Sequence, residues 1–114
     1  MAPLVSTRPA RETDVGDIAR FVRLLAQYEH LEHRFSATEA DFRDALFGPR
    51  PRAFADIAEL DGRPIGLAIG FYNFSTFAGR AGIYVEDLFV IPEARGLGAG
   101  KALLEPGQAV QRAR

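Results

Sequence analysis

The stretch that decides the fold reads IYVEDLFVIPEARGLGAGKALL and covers residues 83–104. It begins with an apolar run from Ile83 to Ile91, whose composition predicts a central strand buried on both faces. A proline, a glycine-rich segment and a short apolar run follow, which together predict a loop and then a helix. In the order strand, glycine-rich loop and helix, backbone N–H groups can converge on a bound anion.

Two adjacent carboxylates, Glu86 and Asp87, interrupt this apolar run. Alternation along a strand predicts that their side chains point to opposite faces of the sheet. A dry, unpaired carboxylate costs several kcal/mol, so each of them needs a partner or water. In the first interpretation, one carboxylate pairs with an arginine and the second accepts a hydrogen bond from a backbone N–H. In the alternative interpretation, both lie in a solvated cleft that has a functional role.

The loop carries glycines at alternate positions, Gly96, Gly98 and Gly100, between the cations Arg95 and Lys101. The missing Cβ atoms allow close approach of an anion, so the pattern favours phosphate binding over an ordinary glycine turn with nothing bound. A Walker A motif is excluded because it needs glycine at position 95 and Ser or Thr at position 102. A dinucleotide fingerprint is excluded because the spacing is G-x-G-x-G.

Two amphipathic helices precede the main strands. Val15, Ile18, Phe21, Val22, Leu25 and Tyr28 recur at helical spacing, with Thr13 or Asp14 as the predicted N-cap. Ser36 and Glu39 fit a capping box for a second helix, which directs Phe42, Ala45 and Leu46 inward. After a linker over residues 48–52, Asp61-Gly62 predicts a type I′ hairpin turn between strands at residues 53–60 and 63–71.

Composition excludes several classes of protein. The chain has 114 residues, 47% of them hydrophobic and 25% charged, which predicts a single domain over residues 1–114. A net charge of -1 gives no global field for nucleic acid or an anionic membrane. The absence of cysteine excludes disulfides and thiolate chemistry, and His30 and His33 without a third ligand predict no metal site. Without an apolar signal core or membrane-length apolar run, the protein is expected in the cytoplasm.

The motif R-x-x-G-x-G, formed by Arg95, Gly98 and Gly100, resembles the signature of the GNAT superfamily of N-acetyltransferases. Residues 25–29, 74–77 and 84–90 look like the diamine (spermidine/spermine) acetyltransferase branch, and the likeness covers about residues 4–104. It implies an α/β (α+β) fold with the order β1-α1-α2-β2-β3-β4-α3 and a mixed sheet. It also implies that the family's C-terminal strands are missing, so the domain is expected to be incomplete.

The resemblance further implies acetyl-CoA as the co-substrate, without a metal. The pantetheine arm would pair with the backbone of β4 and the pyrophosphate would lie on the loop; the implied cofactor residues are Leu88, Phe89, Val90, Arg95, Gly96, Leu97, Gly98, Ala99, Gly100 and Lys101. The amine substrate would contact Tyr28, Glu29, Glu86 and Asp87, with Glu86 as the catalytic base. Tyr28 also belongs to the apolar face of its helix, so a place in the core is the alternative for it.

Amine chemistry independently favours carboxylates at such a site. An alkylamine with a pKa of about 10.4 costs about 4.6 kcal/mol to present as a free nucleophile at pH 7, and a positioned base lowers that barrier. Glu29, Glu86 and Asp87 could also attract a second ammonium, which would select diamines or polyamines.

Two other functions are kept open: a non-catalytic CoA-binding or partner-completed half domain, and an inactive truncated remnant. The motif Glu105-Pro106-Gly107 predicts an early end of the last helix. No general acid is assigned, because nothing supports Tyr72 or Tyr84 in that role. Relatives of this kind are commonly dimers, so a homodimer is the association that the resemblance implies.

Overall fold

The computed structural model describes residues 4–104. Its order of elements is the predicted one, with four strands and three helices: β1 (Val5–Pro9), α1 (Val15–Tyr28), α2 (Glu39–Phe47), β2 (Phe54–Leu60), β3 (Arg63–Ser75), β4 (Arg80–Val90) and α3 (Ala99–Leu103). Single 3-10 turns lie at Glu12–Asp14, Glu32–Arg34 and Pro92–Ala94. The predicted helix break at residues 105–107 lies outside the described residues.

The four strands form one sheet in the order β1-β2-β3-β4, and each pair is antiparallel. The resemblance implied a mixed sheet, but residues 4–104 form only antiparallel strand pairs. Asp61 and Gly62 have φ values of 52° and 84°, so both adopt the left-handed conformation that a type I′ turn requires. The predicted hairpin is confirmed.

Strand β4 lies at the edge of the described sheet, and Phe89 is its only buried residue. The prediction of a strand buried on both faces is thus not met within residues 4–104, because β4 has a neighbour on one side alone. Strands β3 and β4 also extend beyond the predicted limits, to Ser75 and from Arg80, and their far end carries the exposed rings of Phe74 and Phe77.

The core lies between α1, α3 and the two middle strands. Ile18 and Phe21 of α1 are fully buried, as are Ile57 of β2 and Leu67 of β3. The Phe21 ring lies 6.2 Å from the ring of Phe89, which fixes α1 against β4. Among the described helices, none is long and apolar enough to span a membrane.

The two helix starts differ in how far the sequence predicted them. Asp14 occupies the predicted N-cap of α1, but its carboxylate accepts hydrogen bonds from the Arg8 guanidinium at 2.7 and 2.9 Å and from the Arg11 N–H at 2.7 Å. The capping box at Ser36 and Glu39 was wrong: Thr38 caps α2 together with Asp41. The same short pattern recurs two residues later, and the later copy lies where the helix starts.

The ion pair of Arg8 and Asp14 joins β1 to the start of α1. The Arg8 side chain is 21% exposed and that of Asp14 is 8% exposed, so water screens the pair weakly. Hydrogen bonding to Arg8 holds the pKa of Asp14 below its ordinary value of 3.8.

We expect Asp14→Asn to lower the free energy of unfolding at pH 7 by about 2 kcal/mol, because it removes the shorter of the two ion pairs of Arg8 and leaves only Glu59, at 3.2 Å. The stabilisation by a carboxylate with a lowered pKa is complete above the unfolded-state pKa and is lost as the pH falls through the folded-state value. Urea unfolding at several pH values should therefore show wild type and variant converging below about pH 4.

The control is Asp17→Asn, since Asp17 pairs with Arg20 at 3.4 Å while its side chain is 40% exposed. Its cost should stay below about 1 kcal/mol. Equal effects of the two substitutions would contradict a special role for the Arg8–Asp14 pair.

Candidate active site

A β-bulge in β4 determines where the two adjacent carboxylates lie. Ile69 of β3 pairs with Asp87, and Gly70 pairs with Val85, so Glu86 has no partner on the neighbouring strand. A bulge breaks the two-residue alternation of side chains. Glu86 and Asp87 both line one cavity of about 370 Å³, beside Glu29. That their side chains point to opposite faces of the sheet stays a prediction.

The electrostatics of this carboxylate cavity show that its acidic groups interact. Burial raises the pKa of Asp87, and the nearby charges of Glu86 and Glu29 raise it further. Within residues 4–104, no basic side chain approaches the carboxylate of Glu86 or Asp87 to within 4.0 Å. The described residues therefore do not form the alternative arrangement, in which an arginine neutralises one of these carboxylates.

The C-terminal end of α1 brings further groups to the same place. Tyr28 is 63% exposed, which excludes the alternative that it is a core residue, and Glu29 is the C-cap. His30 has a φ of 59°, and the Leu31 N–H donates to the carbonyl of Ala26 at 2.8 Å. This left-handed turn ends the helix and sends the chain back along α1.

The next turn then places Arg34, which the sequence analysis did not single out, on the wall of the carboxylate cavity. No local pattern marks Arg34, because its position depends on the left-handed conformation of a residue that is not glycine.

The glycine-rich loop forms a second cavity, of about 500 Å³, at the end of β4. Gly96 and Gly98 have φ values of 85° and 84°, and no other atom lies within 4 Å of where their Cβ atoms would be. In the part of the chain that is described, no hydrogen bond engages the N–H groups of residues 96–101. The loop therefore presents open space and free backbone donors, as an anion site needs.

Most of the predicted site residues line this loop cavity: Tyr28, Glu29, Leu88, Phe89, Val90, Arg95, Gly96, Gly98, Ala99 and Gly100. Leu97 and Lys101 do not line it; both are exposed. The sequence analysis missed Leu25 and Ala94, whose apolar side chains complete the wall.

Arg95 links the loop to α1. Its Nε donates to the carbonyl of Val90 at 3.1 Å, and its guanidinium carbon lies 4.7 Å from the centre of the Tyr28 ring. A guanidinium at this distance from an aromatic face makes a favourable cation–π contact. A direct contact of Arg95 with phosphate stays a prediction.

The two cavities share Leu25 and Glu29 in their walls. A group held in the loop cavity is therefore adjacent to a group held among the carboxylates. Tyr72 and Tyr84 line neither of these two cavities.

Comparisons with known proteins show the family of this chain. The family model described as Acetyltransferase (GNAT) family matches residues 18–114. The mouse thialysine N-epsilon-acetyltransferase is 35% identical over 106 residues, which cover 86% of this chain and 62% of the mouse protein. The human spermidine/spermine N(1)-acetyltransferase-like protein 1 is 28% identical over 105 residues, covering 86% of this chain and 15% of the human protein.

Solved structures show the same fold. The aminoglycoside acetyltransferase HMB0005 from an uncultured soil metagenomic sample superposes with a TM-score of 0.74 at 18% identity, covering 97% of this chain and 74% of that one. The chain belongs to the GNAT acetyltransferase family. It spans 62–64% of the length of the mouse, bovine and porcine thialysine N-epsilon-acetyltransferases that it matches.

The coupling among the carboxylates can be measured directly. We expect carboxyl ¹³C NMR to show Asp87 titrating above the ordinary range of aspartate, and Glu86→Gln and Glu29→Gln each to lower its pKa by removing a repelling charge. The decrease should be larger for Glu86→Gln, whose charge contributes more. An Asp87 titration unchanged in both variants would contradict the shared cavity.

Proposed function

We propose that this protein transfers the acetyl group of acetyl-CoA to the primary amine of a small cationic substrate of the diamine or polyamine kind. The observation that carries the proposal is the shared wall of the loop cavity and the carboxylate cavity. It puts an anion-binding surface beside a cation-binding one, as acetyl transfer from a phosphorylated donor to a charged amine requires.

The residues at the loop fit acetyl-CoA. The N–H groups of residues 96–101 would hold the pyrophosphate, and Arg95 would add positive charge next to it. Leu88, Phe89 and Val90 lie along the edge of the described sheet, so their outward backbone groups are available to the amide groups of the pantetheine arm. These contacts would bring the thioester to the end of α1.

Glu86 is the group best suited to accept the proton of the amine. It lies on the bulge, exposed to solvent, so a water molecule can relay the proton. The amine nitrogen then forms a bond to the thioester carbonyl carbon, the carbon–sulfur bond breaks, and CoA leaves as the thiolate. The nitrogen gives its second proton to water as the amide forms. No cysteine is present to form an acyl-enzyme, which is consistent with direct attack.

A second cationic group on the substrate would be held by Glu29 and Asp87. Both line the carboxylate cavity with Glu86, and Glu29 also lines the loop cavity near Tyr28. A substrate ammonium would relieve the repulsion that raises the pKa of Asp87. This complementarity favours substrates with two amines over neutral amines.

The expected homodimer and the cytoplasmic location stay predictions. The alternative of a CoA-binding domain without catalysis differs from the proposal in one measurable way: it binds acetyl-CoA but releases no CoA when amines are added.

The first test of the proposal is Gly98→Val, which we expect to abolish acetyl-CoA binding in a calorimetric titration. A valine side chain would occupy the space that the phosphates need. The matched control is Gly62→Val in the hairpin turn, since both glycines have a φ of 84° and open space around them.

Both substitutions should lower stability to a similar degree, by about 1–2 kcal/mol, because both force a β-branched residue into the left-handed conformation. Only Gly98→Val should lose the ability to bind acetyl-CoA. Equal acetyl-CoA affinity in Gly98→Val and wild type would remove the loop from the proposed site.

The second test is Glu86→Gln, which we expect to keep acetyl-CoA affinity and to lower kcat about 100-fold or more, because it removes the base. The thiol of released CoA can be followed with a disulfide reagent, since the chain has no cysteine of its own to react. Glu39→Gln on α2 is the control and should leave kcat unchanged. A Glu86→Gln enzyme with the kcat of wild type would show that another group takes the proton.

A further inference from the structure

The Arg95 side chain connects β4 to α1 across the loop cavity. On β4, its Nε donates to the Val90 carbonyl at 3.1 Å, and its guanidinium carbon lies 5.9 Å from the centre of the Phe89 ring. On α1, the same carbon lies 4.7 Å from the centre of the Tyr28 ring. All four residues line the loop cavity, so the Arg95 side chain lies in the space that the proposed cofactor site needs.

The proposed cofactor and these contacts compete for the same groups. The Val90 carbonyl is one of the backbone groups at the edge of the described sheet that the pantetheine arm would use, and it already accepts a hydrogen bond from Arg95. The guanidinium of Arg95 is also the group that a phosphate attracts. A guanidinium pairs with a phosphate more strongly than with an exposed aromatic ring, because the phosphate carries a full charge and can accept two parallel hydrogen bonds.

We infer that the contact of Arg95 with Tyr28 is autoinhibitory: it closes the loop cavity, and acetyl-CoA opens the cavity by drawing the guanidinium to its phosphates. The inference rests on the proposed function and adds a means of regulation to the same site. Tyr28 is the last residue of α1, next to Glu29, which lines both cavities. The released ring therefore lies beside the place proposed for the amine, whose ammonium can replace the guanidinium on the ring, one cation for another.

This exchange couples the two binding sites. Acetyl-CoA and the amine each displace the same guanidinium, so each should raise the affinity of the protein for the other. The strength of the displaced contact limits the coupling. Tyr28 is 63% exposed, and a cation–π contact at an exposed site corresponds to a change of about two- to fivefold in affinity.

The test is Tyr28→Leu, which removes the ring and keeps an apolar side chain. We expect this variant to bind acetyl-CoA about two- to fivefold more tightly than wild type in a calorimetric titration, because Arg95 no longer has to leave the ring. A residue that only forms part of the cavity wall would, when shortened, weaken binding or leave it unchanged. The matched control is Tyr28→Phe, which keeps the aromatic face and should bind acetyl-CoA as wild type does.

The ¹⁵N NMR signal of the Arg95 Nε–H group follows the guanidinium itself and can be assigned by its absence in Arg95→Gln. It should shift when acetyl-CoA is added to wild type, because the hydrogen bond to the Val90 carbonyl is lost. The coupling is measured with putrescine as the diamine. CoA should raise the affinity for putrescine more in wild type than in Tyr28→Leu, since only wild type has the contact to release.

The outcomes separate the inference from the function on which it rests. Three results would overturn the autoinhibitory contact and leave amine acetylation standing: wild-type or lower acetyl-CoA affinity in Tyr28→Leu, an Arg95 Nε–H signal that stays in place while acetyl-CoA binds, or an equal effect of CoA on putrescine in both proteins. If wild type binds no acetyl-CoA, the proposed function fails and the inference fails with it.

Discussion

The β-bulge at Glu86 is the constraint on which the site depends. A regular strand turns successive side chains to opposite faces, and the bulge interrupts that alternation at Glu86. Glu86 has no partner between Ile69 and Gly70 of β3, and both carboxylates line the cavity beside Glu29. Gly70 lies at the bulge itself, where a Cβ would come within 2.8 Å of the Tyr84 carbonyl oxygen, so the close approach of the two strands requires glycine.

This arrangement opposes folding at neutral pH. Burial and two neighbouring charges raise the pKa of Asp87, and a carboxyl with a raised folded-state pKa destabilises the folded protein at pH values where it is ionised. The rest of the structure offsets this cost through the core around Phe21 and Leu67 and through the Arg8–Asp14 pair, which holds the opposite end of α1. Carboxylates kept close together without a partner are typical of a functional site, since a ligand can relieve their repulsion.

The sequence predicted the fold in outline and the site in part. Periodicity and turn chemistry suffice for the order of elements, for the hairpin at Asp61-Gly62 and for the loop at residues 96–100, because each depends on neighbouring residues. The bulge at Glu86 could not be predicted in this way, since it arises from the register between β3 and β4 and leaves no mark in the local pattern. Arg34 was missed for a related reason: its place in the cavity depends on the left-handed turn at His30, which favours glycine or asparagine.

The measurement that tests the central claim most directly is carboxyl ¹³C NMR of the protein during titration with a diamine in the presence of CoA. If the bulge places Glu86 and Asp87 in one substrate cavity, the side-chain signals of both residues should shift together, with a single dissociation constant. A response from only one of the two carboxylates, or two different dissociation constants, would contradict a shared substrate cavity.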